Sequence, residues 1–200
     1  ARESGDHELL TGLIAQQALP MLTQGRFATL ESWLDALPPQ ARAVSAWLAF
    51  WKGACVMVRD PVGAREHLES ALSSAEAADD AAAAYLAWAA IVDSFLFLWD
   101  DFSGLPQWIE RFDRLRARFP RYPAPQIEAK ATSAIMGAMT YAAPMHPAIH
   151  AHYARCAQLA VTLPDDNDRA TALLNAALYS VWCGSDEDQD DANRSIRDVL

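Results

Sequence analysis

The chain has 200 residues, 52% of them hydrophobic, with seven Trp and a formal net charge of −10. That length and apolar content are enough to build a sizeable core. The acidic balance repels phosphate backbones and argues against direct nucleic-acid binding by this segment.

Taken in chain order, the first predicted helix runs from about Asp6, a suitable N-cap, to Thr23, and Gln24-Gly25 ends it. A second helix covers Phe27 to Leu37, with Phe27, Leu30, Leu34 and Leu37 on one face, and Pro38-Pro39 stops it. A third spans about Gln40 to Val58. Arg59-Asp60-Pro61 then turns the chain into a fourth, about 61–78, with Ala64, Leu68, Ala71 and Leu72 on one face. The fifth, Ala81 to Trp99, is almost wholly apolar and as long as a membrane span. Asp93 near its centre would cost about 2.5–3.5 kcal/mol to insert, and acidic residues flank it on both sides, so a buried core helix is the expectation and no membrane partner is. A sixth helix carries Leu105, Ile109, Phe112 and Leu115 and stops at Phe119-Pro120. A Pro-rich loop, Arg121 to Pro125, leads to a seventh at about 126–142. Pro144 and Pro147 frame the turn into an eighth, which ends near Leu163-Pro164; a ninth covers about 166–183 and a tenth begins near Asp188. Ile196, Val199 and Leu200 would give that last helix an uncovered apolar stripe, which predicts self-association through it. With a start at Ala1 and no leader pattern, the chain reads as a fragment of a longer protein.

Turn markers at Gly25, Asp60, Asp101, His146 and Gly184 recur every 35 to 45 residues, each dividing a long apolar helix from a second amphipathic one. Self-similarity at this period is the mark of an α-solenoid. The predicted fold is therefore all-α, a right-handed solenoid of about five antiparallel helix pairs at about 6–37, 40–78, 81–119, 126–163 and 166–200, forming a single array over 1–200.

Two registers of this repeat carry candidate sites. Trp47, Trp51, Ala54 and Val58 share a helix face, and the next repeat places Trp88, Val92, Phe95 and Trp99 there. Large rings at helical spacing usually bury, so a core stripe is expected ahead of an aromatic groove. Eight residues before each marker stand Gln17, Lys52, Asp93, Ala138 and Ala176. Equivalent positions on neighbouring repeats lie side by side, and buried charges need partners, so Lys52 and Asp93 are expected to pair. Gln17, Lys52 and Asp93 are the candidate ligand or partner contacts on the concave face.

Catalytic signals are lacking. His146, His150 and His152 form an HxxxHxH cluster without the four convergent ligands of a structural zinc site, and surface histidines are the reading. Asp186, Asp188, Asp190 and Asp191 fail the calcium-loop spacing, since Gly and Glu are missing where the loop needs them. No phosphate-binding loop, nucleophile elbow, HExxH or dinucleotide motif occurs. The expectation is a protein that is not an enzyme and holds no metal. Cys55, Cys156 and Cys183 are widely spaced with no CxxC, which fits reduced thiols in the cytoplasm.

The run QGRFATLESWLDALP, Gln24 to Pro38, resembles the start of the helical-repeat arm in maltose-regulator-like (MalT-type) ATP-dependent transcriptional regulators, and Trp99-Asp-Asp-Phe-Ser to Ile127-Glu-Ala looks like the middle of such arms. Ala64, Leu68 and Ala71 fit the small-large-small pattern of a second tetratricopeptide helix, although the repeats exceed thirty-four residues and lack Trp-Leu-Gly in their first helices. The resemblance implies a tetratricopeptide-like sensor arm of a bacterial transcriptional regulator that binds a small-molecule inducer or a protein partner. Any ATP or DNA binding would belong to modules of the parent protein outside these residues, leaving this fragment with no cofactor. A general protein–protein scaffold without a small ligand is the alternative.

Overall fold

Prolines, glycines and aspartates divide the chain into helices much as their backbone chemistry dictates. The computed structural model describes residues 2–163 and 166–184. Within them it forms ten helices: α1 (Arg2–Thr23), α2 (Phe27–Asp35), α3 (Pro39–Val44), α4 (Ala46–Met57), α5 (Pro61–Ala77), α6 (Ala81–Leu98), α7 (Leu105–Arg118), α8 (Pro125–Ala142), α9 (Ile149–Thr162) and α10 (Asp166–Trp182). Among the described residues there is no strand, so the fold is all-α. The tenth predicted helix, its apolar stripe at Ile196, Val199 and Leu200, and the aspartates from Asp186 to Asp191 lie outside the described residues.

Local chemistry explains the boundaries. Gly25 takes φ +70°, the left-handed conformation that closes a helix and that glycine adopts without steric cost. Asp60 caps α5, its carboxylate accepting from the Gly63 amide at 2.8 Å, and Pro61 occupies the first turn. Asp101 accepts from the Ser103 amide at 2.8 Å in the turn before α7. Two predictions need correction. The first helix begins at Arg2, ahead of the start expected at Asp6. The single helix expected over 40–58 is two, broken at Ser45, whose backbone is extended (φ −106°, ψ 111°) and whose hydroxyl accepts from the Leu48 amide at 3.4 Å. A serine that can cap competes with helix continuation, and here it wins.

Contacts gather the chain into two compact units, 1–94 and 95–200, with the division falling inside α6 between Ser94 and Phe95. In the first unit, Ile14, Ala18 and Met21 of α1 meet Leu30 and Leu34 of α2 and Leu48 and Cys55 of α4 in one core cluster. α4 packs on both α1 and α2, and most extensively on α5. The α4–α5 seam is close because Gly53 faces the fully buried Leu68; a Cβ at Gly53 would lie 2.7 Å from Leu68 Cδ2. Tyr85, Trp88 and Ile91 of α6 are fully buried. α6 is long and apolar enough to cross a membrane, yet these side chains are packed inside the protein.

In the second unit α7 buries Leu105, Ile109, Phe112 and Leu115, the face its periodicity marked. α8 is buried almost all round from Ala129 to Thr140. α10 packs against both α8 and α9. Gly137 again permits a close approach, since a Cβ there would meet Leu96 Cδ1 at 2.7 Å.

Candidate ligand-binding cleft in the first unit

The Ser45 cap sets the rotation of α4 and with it the directions of Trp47, Phe50 and Trp51. All three are half-buried. Trp47 and Trp51 lie 5.6 Å apart between ring centroids, and Phe50 meets Trp51 edge-to-face at 4.9 Å. The Trp47 indole N–H donates to Asp80 Oδ2 at 2.8 Å. The other oxygen of Asp80 accepts from the Ala83 amide at 3.0 Å, capping α6. One carboxylate therefore fixes a helix start and a tryptophan orientation together.

These rings form one wall of a half-open cleft of about 730 Å³. α1 supplies the opposite wall through Thr11, Ala15, Leu19 and Leu22, spaced to share one helix face, and α6 adds Leu86. Leu19 is 62% exposed, large for an isolated leucine with no partner. Among the described residues that line the cleft there is no Asp, Glu, His, Lys, Arg or Cys. The Trp47 N–H is spent on Asp80, and the Ser45 hydroxyl on its helix cap. The cleft offers shape and apolar area, with few polar groups to orient a small molecule.

The three residues expected to mark a site do not converge. Gln17 is exposed on α1 and Asp93 is half-buried on α6. The expected Lys52–Asp93 pair does not form. The Lys52 ammonium is instead held by Glu31 at 2.8 Å and by both oxygens of Asp35 at 2.7 and 2.9 Å. Arg59 adds a two-pronged pair to Glu31 at 2.6 and 2.5 Å. The physical reason is that α2 packs on α4 and carries Glu31 and Asp35 one helical turn apart, two carboxylates that reach the ammonium from the preceding helix pair. The Arg59 guanidinium, with Lys52 adding to it against the cost of burial, holds the Glu31 carboxyl down to about 2. Cys55 is pushed up to about 11 by burial. This cluster ties α2 to α4, and none of Gln17, Lys52 and Asp93 lines the cleft.

The aromatic stripe divides between the two roles weighed for it. Trp88 and Val92 are fully buried and Phe95 nearly so, as a core stripe should be. Trp47 and Trp51 line the cleft. Phe50, which has no place in the repeat register, escaped the sequence reading; the AWLAFW run at 46–51 puts aromatics on more than one face of a helix, and that was the available signal.

The histidine cluster disperses. His146 Nδ1 accepts from the Ala148 amide at 3.2 Å, His150 lies 3.3 Å from the Tyr179 hydroxyl, and His152 packs edge-on against Phe112. Burial lowers the His152 pKa. Among the described residues no three His, Cys, Asp or Glu side chains gather as a metal-ligand set. No protein-family model, curated protein or solved structure matches the chain.

Proposed function

We propose that this chain is a non-catalytic, partner-binding helical-repeat arm, tetratricopeptide-like and right-handed in its winding, of the kind carried by MalT-type bacterial transcriptional regulators in the cytoplasm. The observation that carries this reading is the aromatic cleft between α1, α4 and α6. Its occupant is an apolar segment of a partner protein, best an amphipathic helix laying leucine-sized side chains between Leu19 and the Trp47–Trp51 wall. The half-open form and scarcity of polar groups favour such a segment over a sugar or nucleotide, which would need fixed hydrogen-bond partners. The repeat reading draws support from packing within each unit: α4 sits on both α1 and α2, and α10 on both α8 and α9, as a first helix does on a preceding pair. An occupant gripping three helices favours one arrangement of them, and an attached switch module would feel that bias as a population shift. ATP, in this reading, belongs to that attached module.

The test is a thermal-shift titration of the chain with a set of amphipathic-helix peptides and, in parallel, with sugars, nucleotides and amino acids. A peptide at a hundred times its Kd adds about 2.7 kcal/mol, a shift of several degrees. Leu19→Glu, at a position outside the core, is expected to keep the unliganded melting temperature and abolish the shift. Stabilisation by a small polar molecule alone, insensitive to Leu19→Glu, would replace the partner reading with an inducer site elsewhere.

A further inference from the structure

α1 carries a broad exposed face with no charge on it. From Leu9 to Gly25 the chain has no Asp, Glu, Lys, Arg or His, although 21% of all its residues are Asp, Glu, Lys or Arg. Burial does not account for this, since Leu9 is 76% exposed and Leu13 43%, and Gly12, Ala15 and Gln16 are exposed beside them. Other helices show solvent the usual charges: α5 presents Glu66 and Glu69, and α7 presents Glu110, Asp113, Arg114 and Arg118. Depletion of charge around large apolar side chains is the composition of an interface core.

This face is continuous with the cleft. Around a helix of about 3.6 residues per turn, Thr11 and Ala15 look into the cleft, Leu19 and Gly12 come next, and Leu9 and Leu13 lie beyond them. A Cβ added to Gly12 would meet nothing within 4 Å, whereas one at Gly53 or Gly137 would strike a neighbouring leucine. Those two glycines admit neighbours from within the chain. Gly12 weakens a helix interior without admitting any, and the space over it is open to a backbone from outside.

The surface therefore holds both halves of a contact side by side. The groove runs between α1 and α4, walled by Trp47 and Trp51. The ridge is Leu9 and Leu13, one helical turn apart and of the size that groove suits. A two-fold contact uses the same patch on both copies, so it needs a groove and a ridge on one patch. With α1 of each copy laid over the α1–α4 groove of the other, two α1 and two α4 helices would close into a four-helix bundle.

Resting on the reading of the cleft as a helix-binding groove, we propose that its occupant is α1 of a second copy of this chain, with Leu9 and Leu13 of each copy set against the Trp47–Trp51 wall of the other in a reciprocal dimer. The contact faces carry no charge, so the dimer strengthens as salt screens the repulsion between two copies of net charge −10. One helix and one groove per copy make a small interface, so the dimer is reversible and dissociates on dilution.

The test is sedimentation equilibrium of the full chain from about 1 to about 500 µM, which is expected to pass from monomer to dimer and to move towards dimer in high salt. The probe for the cleft is a synthetic peptide of α1, Arg2–Thr23. Leu9→Glu, outside both the core and the cleft lining, is expected to weaken the dimer by about tenfold or more and to bind the wild-type peptide as before; Leu19→Glu is expected to lose both. A nitroxide at Leu9→Cys in a Cys183→Ser chain, mixed with an isotope-labelled chain that carries no nitroxide, is expected to broaden the Trp47 indole N–H of the second chain, assigned through Trp47→Phe. That readout needs no glutamate variant to fold. A chain that stays monomeric to about 500 µM and ignores the α1 peptide would overturn the proposal, while stabilisation of that chain by other amphipathic helices would leave the cleft reading standing. A dimer broken by Leu9→Glu but indifferent to Leu19→Glu, or one in which the Trp47 signal stays sharp, would remove the cleft from the contact and overturn the proposal as well.

Discussion

At the scale of single residues, Gly53 shows how little room the α4–α5 seam leaves. An alanine there would favour the helix by about 1 kcal/mol in propensity. Its Cβ would also sit 2.7 Å from Leu68 Cδ2 and 3.3 Å from the Ala64 carbonyl oxygen, and Leu68 is fully buried. Overpacking of that kind costs about 1–3 kcal/mol. The clash outweighs the propensity gain, and Gly53→Ala is expected to lower stability by up to about 2 kcal/mol in urea denaturation. Glu31 tests a different force. Its carboxyl is held near 2, below its ordinary value of 4.5, so its contribution is present above pH 4.5 and is lost as pH falls towards 2. Glu31→Gln is expected to cost about 1–3 kcal/mol at pH 6, the range for hydrogen bonds to charged groups. The gap between variant and wild type should narrow as pH falls from 4.5 and close only below pH 2, where both side chains are neutral. A gap that stayed constant with pH would show that the charge of Glu31 contributes nothing. Neither contact could be seen in the sequence by its residue type. A repeat alignment compares equivalent positions, and Glu31 and Asp35 reach Lys52 from a non-equivalent helix.

At the scale of elements, the all-α class and most helix boundaries were legible. Gly25, Asp60-Pro61 and Pro125 each impose a backbone conformation, and helix ends follow them to within a residue or two, while Asp101 stands in the middle of the turn between α6 and α7. The break at Ser45 was not legible because apolar periodicity runs through it, and periodicity reports a face without saying that the axis continues. A test follows from the cap. Ser45→Ala removes the hydroxyl that accepts from Leu48 and is expected to cost about 1 kcal/mol, while Ser45→Asp keeps the cap and most of the stability. If alanine and aspartate behave alike, the break owes nothing to capping. The same limit applies to the cleft. Sequence spacing brought Trp47 and Trp51 onto one face, but whether a face meets core or an open wall depends on α1, which only the tertiary packing reveals.

At the scale of the whole chain, three free thiols sample two depths. Cys55 is 1% exposed and Cys156 0%, with burial pushing their pKa values to about 11 and about 12, while Cys183 is half-exposed and raised less. Thiolate is the reactive form, so at pH 8 a disulfide reagent is expected to label Cys183 first. Cys55 should then report opening of the first unit and Cys156 opening of the second. If the two slow thiols react at one common rate, the units open together; separate rates would show two cooperative blocks.

The Asp80 carboxylate has a consequence of its own. Because it grips the Trp47 indole with one oxygen and the start of α6 with the other, the cleft wall and the helix behave like a latch and its hinge pin. A ring wedged aside would give up its bond to the same carboxylate that caps the first turn of α6. An occupant of the cleft would thereby be felt at the start of α6, with no moving charge and no chemistry required.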